Sequence, residues 1–196
     1  MAFKYAVALT GSIATGKSSV ARLLIDMGFC IIDADKIAHK VLNEQKHTIV
    51  DMFGKHLLLE DSIDRKALGA IVFKDEQKRK MLEEILHPLI YKHIASSAKT
   101  LDESKKIYFV DIPLFFETNR YPIEKVLVVY SPKKIQLKRL ATRDKILKIE
   151  AQKRIDMQID IEKKVKNASY VIDNSGTLTQ LKEKTLRIVE DIKKDF

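Results

Sequence analysis

The octapeptide at residues 11–18, Gly-Ser-Ile-Ala-Thr-Gly-Lys-Ser, constrains the fold of this chain more than any other segment. It matches G-x-x-x-x-G-K-[ST], in which two glycines allow a tight curl and backbone N–H groups point at phosphate oxygens. An apolar, strand-like run precedes it at residues 5–10. Four apolar residues follow it at the spacing of one helix face: Val20, Leu23, Leu24 and Met27. Gly28 stands where a helix ends. This order of strand, loop and helix predicts a phosphate-binding loop at a helix N-terminus.

The loop motif also predicts which residues contact the nucleotide and the metal ion. We expect Lys17 to lie against the β- and γ-phosphates of a nucleotide as a catalytic residue, and the Ser18 hydroxyl to be a ligand for Mg²⁺. The other loop residues expected to bind the nucleotide are Gly11, Ala14, Thr15, Gly16 and Ser19.

Charge and composition limit the classes of partner that we expect this protein to bind. The 196 residues contain 36 Lys and Arg against 27 Asp and Glu, a net charge of +9, which favours anionic partners. No apolar run approaches the roughly 18 residues that span a bilayer, so we expect a cytoplasmic protein without membrane association. The single cysteine, Cys30, excludes a disulfide within the chain, and its apolar neighbours predict a buried strand position.

Five short apolar runs predict a parallel sheet, because helical patterns separate them. They lie at residues 5–10, 30–33, 107–111, 126–130 and 170–172. The expected fold class is therefore α/β, with a five-stranded parallel sheet flanked by helices.

Two long excursions interrupt the alternation of strands and helices. Residues 36–104 have helical periodicity and predict an insertion that covers the acceptor side of the site, with Pro88 kinking or breaking its last helix.

Residues 132–166 are rich in Lys and Arg but contain no aromatic residue, which disfavours stacking on nucleic-acid bases. We interpret them as a lid over phosphates, and the alternative is a solvated pair of lysine-rich helices. The nucleotide-binding core comprises the remaining segments: 1–35, 105–131 and 167–196.

Carboxylates end two of the predicted strands. Asp33 and Asp35 follow the second strand and project to one side if the chain stays extended there. Asp33 is the better candidate to accept a proton from an attacking hydroxyl, because Asp35 has an alternative role as the N-cap of the next helix. Asp111 ends the third strand, which is typical of a carboxylate that supports Mg²⁺ through water. Its alternative role is to cap a turn before Pro113.

Arg139 and Arg143 are four residues apart in the basic segment and therefore share a helix face. Guanidinium groups bind phosphate oxygens, so both are expected to bind the nucleotide, with Arg143 also neutralising charge on the transferred group. The alternative is a surface salt bridge to Asp144 or Glu150.

With these motifs in order, the chain resembles the dephospho-CoA kinases over nearly its whole length. The most diagnostic segments are Asp-Ala-Asp at residues 33–35, His-Pro-Leu at 87–89 and Pro-Leu-Phe-Phe-Glu at 113–117. Further matching segments are Leu9 to Ser18, Leu82 to His87, Gln136 to Leu140 with Arg143 and Asp144, and Tyr170 to Gly176.

The resemblance implies a P-loop kinase fold with a core, a helical CoA-binding domain and a lid. It implies phosphorylation of the ribose 3′-hydroxyl of dephospho-CoA by ATP, with Mg²⁺, as the last step of coenzyme A synthesis. Asp33 would be the base. The implied acceptor-binding residues are Thr10, Asp33, Asp35, His87, Pro113, Leu114, Phe116 and Glu117.

This sequence departs from the family at a few positions. Ser12 and Ala14 occupy loop positions that are often glycine, which predicts at most an altered affinity for ATP. His39 stands where the family often has arginine. A nucleoside monophosphate kinase is the nearest rival, and a nucleotide-gated nucleic-acid-binding protein is the rival from another class. We expect no nucleic-acid partner, and a monomer or small homo-oligomer.

Overall fold

The computed structural model describes residues 2–196 and contains the predicted parallel sheet. The strands are β1 (Ala6–Gly11), β2 (Ile31–Asp33), β3 (Leu58–Leu59), β4 (Ser62–Ile63), β5 (Tyr108–Asp111), β6 (Lys125–Tyr130) and β7 (Tyr170–Asp173). Five of these strands form one sheet in the order β2-β5-β1-β6-β7, and every neighbouring pair is parallel. All five predicted strands are confirmed, each with its ends within one residue of the expected positions.

Helices account for most of the rest of the chain. They are α1 (Lys17–Asp26), α2 (Ala34–Glu44), α3 (Lys46–Phe53), α4 (Arg65–Lys74), α5 (Glu76–Glu103), α6 (Phe115–Thr118), α7 (Lys133–Asp144), α8 (Lys148–Asp156), α9 (Ile161–Lys166) and α10 (Leu178–Lys194). None of those found in residues 2–196 is long and apolar enough to span a bilayer. The chain divides into two compact units, one formed by Met1–Asp33 with Ala98–Phe196, and the other by Ala34–Ser97.

The sheet is the core of the first unit. Strands β1 and β5 are buried throughout and β6 is buried except at its two end residues, as a parallel sheet covered on both faces requires. Helices α1 and α10 contribute apolar side chains to the same cluster, among them Val20, Leu24, Leu181 and Val189. Since all five strands are parallel, their carboxyl ends meet at one edge, where ligands bind in open α/β sheets.

Helix α1 has the predicted extent. Val20 and Leu24 are fully buried, and Leu23 and Met27 pack against the same cluster. Gly28 adopts φ +88°, and its N–H donates to the Ile25 carbonyl at 2.9 Å, so the expected glycine at the helix end is confirmed.

The prediction of a buried Cys30 is wrong. Its side chain is exposed, and the residue precedes β2 rather than lying in it. Ile32, two residues further along and within β2, is buried, so burial begins only inside the strand. An apolar run indicates a strand, but it does not reveal where along the run the side chains become covered.

The predicted N-cap role of Asp35 is also wrong. Helix α2 begins at Ala34, directly after β2, so Asp35 lies in its first turn. The extended geometry that would project Asp33 and Asp35 to one side therefore does not occur. Asp33 is the last residue of β2 and Asp35 is the second residue of α2.

The second unit is mainly helical, as predicted, around a cluster that includes Leu42, Ile49, Leu57 and Leu68. Two features differ from expectation. A short antiparallel hairpin of β3 and β4 follows a 3₁₀ turn at Lys55–Leu57, and nothing in the hydrophobic periodicity predicted it. Helix α5 is 28 residues long and continues through Pro88, so a break at this proline is wrong, whereas a kink stays a prediction. A proline removes one hydrogen bond, which a long helix can lose without ending.

Candidate active site

The carboxyl edge of the sheet assembles three of the predicted groups. Asp33 at the end of β2 is in register with Asp111 at the end of β5, and Leu9 of β1 is in register with Asp111 on its other side. Neighbouring strands lie about 4.8 Å apart, so the two aspartates and the loop after β1 are adjacent. The Lys17 ammonium contacts Asp111 Oδ1, which joins the helix after the loop to β5.

The loop itself has the curled backbone that the glycines predicted. Gly16 adopts φ +90° immediately before α1, and the Ser19 N–H donates to the Gly16 carbonyl at 2.9 Å. Ala14 also has a positive φ, +62°, which is costly for a residue with a Cβ. Ala14 thus holds a Cβ in a backbone conformation that favours glycine.

A polar cluster holds the Thr15 carbonyl on the side of the loop where α7 and β7 lie. The Asn174 side chain donates to this carbonyl at 2.8 Å, and Arg139 Nη1 lies 3.4 Å from it. Arg139 Nη2 also donates to the Asn174 carbonyl at 2.9 Å, and Nη1 donates to Ser131 Oγ at 3.1 Å. The Arg139 side chain therefore contacts a backbone carbonyl of the phosphate loop and orients the peptide between Thr15 and Gly16.

Arg143 has the salt bridge that was the alternative to phosphate binding. Its Nε donates to Asp144 Oδ1 at 2.8 Å, and Arg154 donates to the other oxygen of the same carboxylate. The hydrogen bond from Arg143 holds the pKa of Asp144 below its usual range. The Arg143 side chain is 60% exposed, so this pair contributes little stability and can exchange partners readily.

The residues expected to bind the acceptor have different environments. Thr10 is buried and its hydroxyl donates to the Pro113 carbonyl at 3.1 Å, whereas Leu114 is exposed. Glu117 Oε1 accepts hydrogen bonds from Lys164 Nζ and from the Ile159 N–H. Phe116 is half-buried and packs edge-on against Phe115. Asp35 and His87 belong to the helical unit.

Comparison with known proteins identifies this arrangement. A sequence model of the dephospho-CoA kinases matches residues 5–180. The chain belongs to the dephospho-CoA kinase family. A dephospho-CoA kinase of Wolinella succinogenes is 46% identical over 194 residues, covering 98% of this chain and 96% of the relative. One from Helicobacter pylori is 44% identical over 195 residues, covering 98% and 100%.

A solved structure agrees with the sequence relatives. The dephospho-CoA kinase from Campylobacter jejuni superimposes with a TM-score of 0.72 at 39% identity, covering 97% of this chain and 98% of that one. The fold is thus that of a P-loop kinase, as the resemblance implied.

Sequence reasoning missed several side chains that hold the loop of this dephospho-CoA kinase family member. Asn174 follows the last strand at the edge that carries Asp33 and Asp111, and that position was a usable signal. Gln158 accepts a hydrogen bond from the Ile13 N–H at 2.8 Å, and Lys164 donates to the Gly11 carbonyl at 3.0 Å. No sequence signal separates Lys164 from the lysines around it.

We expect Gly16→Ala to lower both stability and affinity for ATP. A Cβ at Gly16 would collide with Asn174 Nδ2 in a left-handed backbone. Backbone strain of about 1–2 kcal/mol adds to about 1 kcal/mol for a displaced hydrogen bond, so the free energy of unfolding falls by about 2–3 kcal/mol. Denaturant unfolding and ATP titration measure the two effects.

Gly28→Ala is the matched control for this prediction. Gly28 has nearly the same φ, +88°, but a Cβ there meets nothing within 4 Å. Gly28→Ala should lower the free energy of unfolding by the backbone strain alone and leave ATP affinity unchanged. Equal effects of the two variants would contradict a role for the contact between Gly16 and Asn174.

Proposed function

We propose that this protein transfers the γ-phosphoryl group of ATP to the ribose 3′-hydroxyl of dephospho-CoA and so completes coenzyme A. The observation that carries the proposal is the family match over residues 5–180, together with a complete phosphate loop beside Asp33 and Asp111. In the reaction, a bond forms between the 3′-oxygen and the γ-phosphorus, and the bond from that phosphorus to the bridging oxygen of ADP breaks.

Asp33 is the proposed general base. It ends β2 at the carboxyl edge of the sheet, and its register partner is Asp111 on β5. We propose that its carboxylate accepts the proton of the 3′-hydroxyl as the new bond forms. A base on a strand end is held by the sheet, so it contributes through position as well as basicity.

Lys17 and the loop backbone are the proposed phosphate ligands. Loop N–H groups surround the phosphate oxygens, and the ammonium of Lys17 neutralises charge on the transferred group. The contact between Lys17 and Asp111 gives the lysine a second partner within the same site. We also assign Ser19, Arg139 and Arg143 to the nucleotide, the first through its place in the first turn of α1.

The donor atoms at this edge suit Mg²⁺, which takes oxygen ligands and keeps several waters. The Ser18 hydroxyl would hold the ion directly, and Asp111 through water. A bound Mg²⁺ neutralises charge on the phosphates. Among residues 2–196 there is no cluster of three or more His, Cys, Asp or Glu side chains suited to a metal.

For the acceptor, we propose that the helical insertion at residues 36–104 recognises the CoA portion and that residues 132–166 act as the lid. Asp35 and His87 are assigned to the acceptor from the insertion, and Pro113, Leu114 and Phe116 from the segment after β5. Thr10 contributes by holding the Pro113 carbonyl, which fixes the start of that segment. Closure of a lid excludes water that would otherwise hydrolyse ATP.

The test is a mass-spectrometric product assay with ATP, Mg²⁺ and dephospho-CoA, run beside AMP, CMP and adenosine as acceptors. We expect coenzyme A from dephospho-CoA alone. Phosphorylation of AMP or CMP instead would favour a nucleoside monophosphate kinase with the same fold. The absence of transfer from folded protein with every acceptor would contradict the proposal.

A further inference from the structure

Lys164 on α9 is a buried cation in a surface helix. Its side chain has no exposed area, whereas Lys163 and Lys166 on the same short helix are exposed. Lysine is almost never fully buried unless its charge is paired, because leaving water costs the ammonium its hydration. A lysine in this position therefore needs partners that compensate for the burial.

Two hydrogen-bonding partners of Lys164 lie at the proposed active site. Its Nζ donates to the Gly11 carbonyl at 3.0 Å and forms an ion pair with Glu117 Oε1 at 2.6 Å. Gly11 is the last residue of β1 and the first of the phosphate loop, and Glu117 lies on α6. One ammonium thus joins the start of the loop to the segment after β5.

A second contact from the same part of the chain holds the next turn of the loop. The Gln158 side chain accepts a hydrogen bond from the Ile13 N–H at 2.8 Å. The Ile159 N–H donates to Glu117 Oε1 at 3.1 Å, which ties this segment to the partner of Lys164. The first half of the loop is therefore fixed by side chains from residues 158–164.

The orientation of the Gly11 carbonyl also determines the orientation of the next peptide N–H. A peptide unit is planar, so fixing this carbonyl also fixes the Ser12 N–H, which points the opposite way. The direction in which the chain enters the loop then follows. Small errors in that direction displace the N–H groups that bind phosphate, and a displacement of about 1 Å can cost a factor of 10² in rate.

We propose that Lys164 is a positioning residue that holds the phosphate loop in its nucleotide-binding conformation, and that Glu117 acts mainly by pairing with Lys164. The inference rests on the proposed function, since it assigns ATP to this loop. Lys164 acts through the Gly11 carbonyl and not by contact with the reacting atoms.

Lys164→Met tests the proposal by separating the two substrates. We expect the Kd of ATP, measured calorimetrically with Mg²⁺, and the KM for ATP to rise about 10–100-fold. The KM for dephospho-CoA should change far less. Lys182→Met, which removes an exposed lysine of α10 outside the proposed lid, is the control and should behave as the unmodified protein.

Because Lys164→Met leaves the Glu117 carboxylate without its cation, the variant can also lose stability. The double variant Lys164→Met, Glu117→Leu removes both charges, and such a replacement is often neutral for folding. We expect its thermal stability to recover while its ATP affinity stays low, since nothing donates to the Gly11 carbonyl. Lys164→Arg keeps a donor and should restore much of the affinity.

Recovery of ATP affinity together with stability in the double variant would overturn the inference, as would unchanged affinity in a folded Lys164→Met protein. These outcomes differ from failure of the proposed function. If the unmodified protein makes no coenzyme A from ATP and dephospho-CoA, the function fails. If the unmodified protein makes coenzyme A but Lys164→Met leaves ATP affinity unchanged, only the positioning role fails.

Discussion

Lys17→Met should reduce turnover of ATP and dephospho-CoA roughly 10²–10³-fold, the usual loss when one preorganised group that stabilises transition-state charge is removed. The physical reason is that methionine keeps the length of the side chain but brings no charge to the phosphates. The contact with Asp111 is lost in the same variant, so a thermal melt is needed beside the steady-state assay.

Arg22→Met provides the control for Lys17→Met. Arg22 is an exposed cation on the same helix, α1, so its removal changes the net charge equally without touching the loop. Its turnover should match that of the unmodified protein. Near-normal activity of a folded Lys17→Met protein would contradict the assignment of the loop to the phosphates of ATP.

Asp33→Asn should lower kcat roughly 10²–10⁴-fold, the range attributed to general acid–base catalysis. The amide is nearly isosteric with the carboxylate but cannot accept the proton of the 3′-hydroxyl. The KM for ATP should change little, because the proposed ATP ligands are the loop and Lys17. Steady-state kinetics with each substrate varied in turn gives both numbers.

Asp26→Asn is the matched substitution, because Asp26 is exposed at the end of α1 and lies before the strand that Asp33 ends. It should leave kcat and both KM values unaltered. If Asp33→Asn raised only the KM for ATP and left kcat intact, Asp33 would be a nucleotide ligand and not the base.

The elements that sequence predicted well have local causes. Residues 11–18 have the spacing of glycine, lysine and serine that a phosphate loop requires, and the helix after them has apolar residues on one face and a glycine at its end. The buried strands appear as short apolar runs because both faces of a parallel sheet are covered. These patterns depend on neighbouring residues in the chain, so they can be read without the fold.

The errors concern position within the tertiary structure. The apolar neighbours of Cys30 predict burial, but the residue lies just before β2 and is exposed, whereas Ile32 within the strand is buried. Asp35 has the residue type of an N-cap, yet α2 begins at Ala34. Pro88 favours a break, but α5 continues through it. In each case the local preference was real, and the surrounding structure outweighed it.

The sequence by itself determined the phosphate loop, the parallel sheet, the membership of a kinase family and the candidacy of Lys17 and Asp33. Only the tertiary structure decided which polar side chains hold that loop. Lys164 and Gly11 are 153 residues apart, and Asn174 and Thr15 are 159 apart. Three lysines of one short helix look alike in the sequence, but packing buries one of them, and a buried ammonium must find a carbonyl and a carboxylate.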